Sequence, residues 1–123
     1  MALLSIDRER NLLIAEMQGL DKLWALKSRL EIPLAHVRGA THDPGIAHEP
    51  KGVRVGGTYF PGVITAGRFR RDGEWVFWDV KNPEKTVVVE LADEESYDRL
   101  VVEVEDPRAA VALIEGALGR RDA

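Results

Sequence analysis

The chain has no cysteine in its 123 residues. Disulfides, thiolate zinc sites, iron–sulfur clusters and cysteine nucleophiles are therefore excluded. It also lacks any apolar run near the ~20 residues that cross a bilayer as a helix. The stretch from Met1 to Asp7 is too short and too soon charged for a signal peptide, so the expected location is cytoplasmic. Nor is there an excess of positive charge. With 17 Lys and Arg against 21 Asp and Glu the net charge is −4, so neither nucleic acid nor an anionic membrane is the default partner. Peripheral membrane contact is left to a local basic patch. Internal repeats and low-complexity tracts are absent too. What is present, 45% hydrophobic and 31% charged residues, is the composition of one ordinary globular domain over 1–123.

Catalytic patterns are equally scarce. Ser5, Ser28 and Ser96 have no Gly-x-Ser-x-Gly setting, and no histidine completes a triad pattern. Gly52-Val53-Arg54-Val55-Gly56-Gly57 is neither a P-loop nor a dinucleotide fingerprint, because the Lys-Ser/Thr pair and a following helix are missing. Glu94-Glu95 falls in a polar turn, and Glu103 and Glu105 share the outer side of a strand, where solvation explains them. His36, His42 and His48 recur every six residues, with Asp43 and Glu49 following the last two. Imidazole and carboxylate suit zinc or nickel, but Pro44 and Gly45 break the strand before His48, so the three need not converge. The expectation is no enzyme, no cofactor and no metal. An enzyme with its substrate under the glycine-rich loop is the least favoured alternative.

The chain reads as short β signals separated by turns. Residues 3–6 and 12–17 form a hairpin around Asp7-Arg8-Glu9-Arg10-Asn11. A short helix is expected near 19–27, with Leu20, Leu23 and Trp24 on its apolar face and Asp21, Lys22 and Lys27 in water. Residues 30–40 read as one strand, at an edge or bulged at Pro33, which has no N–H to donate. From 43 to 62 lie five of the eleven glycines and three of the six prolines. That density predicts a long loop with at most a short extended piece at 53–55. Residues 63–69 and 74–80 form a hairpin with an Asp72-Gly73 turn, and 86–91 and 100–104 are further strands. The last element is a helix over 107–118, with Asp106 as N-cap, Pro107 at its first position and Gly119 as its stop. Ala110, Leu113, Ile114, Ala117 and Leu118 make its apolar stripe, and Arg120-Arg121 suit the negative end of its dipole.

The strand count is about seven, closed by a C-terminal helix. The segments Leu23-Trp24-Ala25-Leu26, Leu30-Glu31-Ile32-Pro33-Leu34 with His36-Val37, Gly57-Thr58, Pro61-Gly62 with Gly67, Phe77-Trp78, and Tyr97-Asp98-Arg99-Leu100-Val101-Val102 before Asp106-Pro107 resemble a bacterial pleckstrin-homology (PH)-like family of small standalone proteins. The resemblance covers nearly the whole chain and implies a mainly β fold, a PH-like seven-stranded antiparallel β-barrel or sandwich capped by a C-terminal α-helix. It implies no activity, since the family has none generally assigned. Phosphoinositide-binding PH domains carry a basic motif on the first hairpin. Here Asp7 and Glu9 interleave Arg8 and Arg10 and no lysine precedes them, which speaks against inositol phosphate at that place.

Two surfaces stand out. Trp75, Phe77 and Trp78, with Tyr59 and Phe60 nearby, concentrate aromatics on the central hairpin. One face of 75–80 belongs to the core, and the other needs a cover: the loop 43–62, a protein partner or second copy, or a small ligand. Arg68, Arg70 and Arg71 cluster at the hairpin end as a possible anion site, with Asp72 and Glu74 beside them. The leading expectation is a non-catalytic module for protein interaction or self-association. The alternative is a binder of anionic lipid or of a small anionic ligand.

Overall fold

A computed structural model describes residues 1–119. Strands β1 (Ala2–Asp7) and β2 (Leu12–Met17) form the first hairpin. Its turn is built by Asp7, whose carboxylate accepts the backbone N–H groups of Glu9 and Arg10 at 3.1 Å each. Helix α1 (Asp21–Trp24) leads to β3 (Arg29–Pro33), which pairs with β2 and completes a three-stranded sheet. Pro33 sits at the end of this edge strand, where a missing donor does least harm. A 3₁₀ turn at Leu34–His36 then carries the chain into a second sheet as β4 (Val37–His42). The segment expected as one strand over 30–40 is thus two strands in two sheets.

The segment 43–62 departs further from a plain loop. It holds a 3₁₀ turn at Pro44–His48 and an eight-residue strand, β5 (Val53–Phe60). Glycine density hid this strand because one of its glycines, Gly57, serves close backbone approach. Gly57 and Gly67 face each other across the β5 and β6 ladder, and a Cβ on Gly57 would lie 2.1 Å from the Ala66 carbonyl oxygen. Next come β6 (Ile64–Arg71) and β7 (Glu74–Val80), joined by Asp72 and Gly73 at φ 51° and 83°, the twist-matched hairpin turn expected of Asp-Gly. A 3₁₀ turn at Pro83–Lys85, β8 (Thr86–Leu91), β9 (Arg99–Glu103) and α2 (Pro107–Ala117) complete the described chain.

The second sheet has six strands in the order β4-β8-β9-β7-β6-β5. Every pairing is antiparallel except β7 with β9, which is parallel. The protein is therefore mainly β, with two sheets and one C-terminal helix, but its described residues form nine strands and a mixed sheet where about seven antiparallel strands were expected. The larger core lies between the sheets and includes Leu13, Ile32, Phe77, Val87, Val89, Leu100, Val102 and Ile114. A smaller one sits on the far face of the six-stranded sheet, where Phe69, Val76, Trp78, Val80, Val88 and Val101 gather with Ile46 of the 44–48 turn. β8 and β9 are buried on both faces, which is why they read as valine runs rather than alternation.

Helix α2 follows its sequence signals closely. Asp106 accepts the N–H of Ala109 at 3.1 Å, Pro107 opens the helix, and Gly119 follows it at φ 79°. Ala110 and Ile114 are buried, while Val111 and Leu118 pack against the core from its margin. Leu113, expected in the stripe, is exposed instead. The helix lies on β4, β8 and β1, spanning the two sheets. Arg120 and Arg121 lie outside the described residues. Among the described residues no helix is long and apolar enough to cross a membrane.

Candidate functional site

The most unusual local structure is α1, whose amphipathic pattern is turned inside out. Its acidic residue Asp21 is 2% exposed, whereas Leu20, just before it, and Leu23 are 66% and 64% exposed. This corrects the expectation that Asp21 faces water and the leucines pack. The cause is electrostatic. Asp21 receives Lys81 Nζ at 2.7 Å and the Met1 amino group. A buried carboxylate requires such partners, and anchoring it turns the opposite side of a four-residue helix outward. Asp79, next to it and fully buried, lies 3.7 Å from the Met1 amino nitrogen. Burial pushes its carboxyl up to about 6; the charge of Glu103 adds to this, and the Met1 ammonium and Lys81 oppose it.

The end of α1 carries a second oddity. Lys27 N–H reaches the Lys22 carbonyl at 3.1 Å and Leu26 N–H the Leu23 carbonyl at 3.3 Å. These are the paired bonds of a Schellman stop, which places Leu26 at the left-handed position normally given to glycine. Leu26 has φ 58° and is 68% exposed. A leucine there costs roughly 1 kcal/mol in backbone strain and puts its side chain in water. Neither folding nor solubility is served by that choice.

Trp24 and Leu26 face the β5 and β6 hairpin. Trp24, Thr58, Phe60, Val63, Ile64 and Lys81 line a groove of about 280 Å³ that is almost wholly apolar. Leu26 continues the strip toward Gly56, where a Cβ would meet its Cδ1 at 3.8 Å. Val53 and Val55 prolong it along β5, itself the last strand of its sheet. Around the hairpin tip a cleft of about 380 Å³ shares Val63, Ile64 and Lys81 with this groove and adds His48, Lys51, Tyr59 and Thr65. Its cations are already engaged. Lys51 Nζ donates to the Ala47 carbonyl at 2.6 Å and sits 5.4 and 5.2 Å from the ring centres of Tyr59 and Trp78. Burial lowers its pKa. Lys51 thus works as a pin fastening the 44–51 segment to the sheet.

Of the five aromatics read as a possible interaction surface, two are core residues. Phe77 and Trp78 are both buried, Phe77 between the sheets and Trp78 under Ile46 and Lys51. The cover of the second face is thus the protein's own 44–51 segment. Trp75 is half-buried, and of the five aromatics only Tyr59 and Phe60 are exposed. The three arginines do not share a site. Arg68 and Arg70 lay their guanidinium carbons 4.7 and 4.9 Å from the Trp75 ring centre, on the strand face toward the other sheet. Arg71 donates to the Pro50 carbonyl at 2.9 Å and pairs with Asp72. Strand alternation separates neighbours 70 and 71. The histidines are likewise apart: His36 Nδ1 meets Glu95 at 2.5 Å, and His42 Nε2 the Glu84 carbonyl at 2.7 Å.

Leu20, Leu23 and Trp24 were missed as surface residues because an apolar face at helical spacing is ordinarily a buried one. The available signal was the absence of Gly or Asn after Trp24, where a short helix must stop. No protein-family model, curated protein or solved structure matches this chain.

Proposed function

We propose that this chain is a non-catalytic docking module whose contact surface is the outward apolar side of α1 together with β5 and the hairpin tip. The observation that carries the reading is Leu26, an exposed leucine held at φ 58° beside an apolar groove. Strained backbone that burdens the fold without filling its core is characteristic of binding sites. The surrounding patch of Trp24, Phe60 and Val63 supplies the apolar area such a site needs.

The PH-like likeness is part of this proposal in limited form. Two sheets bridged by a closing helix support it. The parallel pairing of β7 with β9 has no counterpart in an all-antiparallel barrel and counts against a close match. Anion binding gains no support, since Arg68 and Arg70 are stacked on Trp75 while Arg71, Lys51 and Lys81 already hold internal partners.

The test is a photo-crosslinking amino acid placed at Leu23 in cells that make the protein, with Leu113 on α2 as the control position. A discrete cross-linked species from position 23 and none from position 113 is expected. No adduct from position 23 would overturn the docking reading.

A further inference from the structure

We infer that the partner at this surface is a second copy of the same chain, joined edge to edge through β5 in antiparallel register about Gly57. The inference rests on the docking reading above and names its occupant.

Four strand edges exist in the two sheets: β1, β3, β4 and β5. Natural proteins protect such edges with helices, prolines or charges. α2 lies over β4 and β1, and Glu115 accepts the Ala40 N–H of β4 at 3.0 Å. β3 carries Arg29, Glu31 and a terminal Pro33. β5 has no proline and no lysine, and its one charge, Arg54, folds back to the Gly57 carbonyl at 3.2 Å. Its protection is limited to this Arg54 cap, which pairing at Gly57 would release, and the bulge between Arg54 and Gly56.

That bulge makes the strand self-complementary. Residues directly opposite in an antiparallel ladder share a face, so a two-fold axis must pass through a residue rather than between two. Against β6 the eight residues of β5 make seven pairings because Val55 is skipped, and the central one is Gly57. A two-fold axis at Gly57 sets Val53 opposite Phe60 of the second copy, both on the face toward α1. It also sets Arg54 opposite Tyr59 on the other face, a guanidinium against an aromatic ring. Gly57 opposite itself leaves the crossing free of side chains. The exposed portions of Trp24, Leu26, Val53, Val55, Phe60 and Val63, between 36% and 69% of each residue, amount to roughly 600 Å², the upper end for a patch on a monomer. A standard interface buries about 800 Å² per partner, so these residues plus a thin rim and the new ladder suffice.

Sedimentation equilibrium of the purified chain from about 1 µM to about 1 mM should give twice the chain mass at the upper end. Phe60→Lys and Val53→Lys should each weaken the association by about tenfold or more, whereas Leu113→Lys should leave it unchanged. Because the chain has no cysteine, the double variant R54C/Y59C reports register directly: mild oxidation should link two copies into one covalent dimer. R54C alone should not, since its two copies lie roughly 13 Å apart along the strands, beyond disulfide reach. A monomer at every concentration, a dimer indifferent to Phe60→Lys, or cross-linking by R54C alone would each overturn the inference. The docking reading fails separately. An adduct from position 23 of a mass other than twice the chain sinks the dimer and leaves the docking surface standing.

Discussion

The two α-helices among the described residues use the same kind of sequence to opposite ends. α2 spans eleven residues, buries Ala110 and Ile114, and closes the open side between the sheets. α1 spans four, buries an aspartate, and presents Leu23, with the flanking Leu20 and Leu26, to water. Amphipathic spacing alone does not say which face goes inward. In α2 the apolar face meets an apolar sheet and hydrophobic burial decides. In α1 the chain offers Asp21 a lysine and an amino group inside the fold, and fixing that carboxylate overrides the burial of a few exposed leucine carbons. One helix holds the fold together, and the other is held by it so that its apolar side is available.

The contrast can be broken from either side. The largest effect belongs to α2: Ile114→Ala should lower the unfolding free energy by about 3 kcal/mol through the cavity it leaves, whereas Leu23→Ala should change it by less than about 0.5 kcal/mol. Urea unfolding of the two variants measures both, and equal losses would dissolve the distinction. The anchor beneath α1 comes next. The Asp79 carboxyl is raised from 3.8 to about 6 in the folded state. The folded protein therefore holds this proton more tightly than the unfolded chain, and that contribution is fully present below pH 3.8 and lost as pH rises through about 6. Asp79→Asn should remove that decline, raising stability above pH 6 by at most about 3 kcal/mol and flattening the pH 4–6 slope of thermal unfolding. A third variant separates capping from docking. Asp106→Ala should cost about 1 kcal/mol of stability with no effect on cross-linking from position 23. The smallest shift is the most diagnostic. Leu26→Gly should stabilise the chain by about 0.5–1 kcal/mol in thermal unfolding while weakening docking, an outcome no purely structural role for Leu26 allows.

Much of this architecture was legible where local signals agree. Asp106, Pro107 and Gly119 bounded α2 to within a residue, and Asp72-Gly73 fixed the hairpin between β6 and β7. What escaped was set by distant partners. The strand from 53 to 60 was hidden by its glycines, of which Gly57 is there for the crossing with Gly67, ten residues on and invisible to any local window. The break at Pro33 divides two strands between two sheets, which periodicity alone cannot register. At the candidate site Tyr59 and Phe60 were anticipated as surface, but which cover lies over Trp78 was left open, because Ile46 and Lys51 stand some thirty residues earlier, whereas Phe77 packs between the sheets. The orientation of α1 depends on Lys81, sixty residues later, and no helical pattern encodes it.

The position of β9 has a consequence for how the chain assembles. It lies between β8 and β7, so until residues 99–103 are in place the six-stranded sheet exists only as two pieces, β4 with β8 and β5 with β6 and β7. Each piece then has an open, largely apolar flank, Val87 to Val89 on one and Val76 to Val80 on the other. During synthesis most of the chain emerges before those flanks can be joined, an interval in which exposed strand edges invite wrong pairings. β9 is the keystone that ends this interval. Its own run of buried side chains, from Leu100 to Val102, makes the closing step strongly downhill.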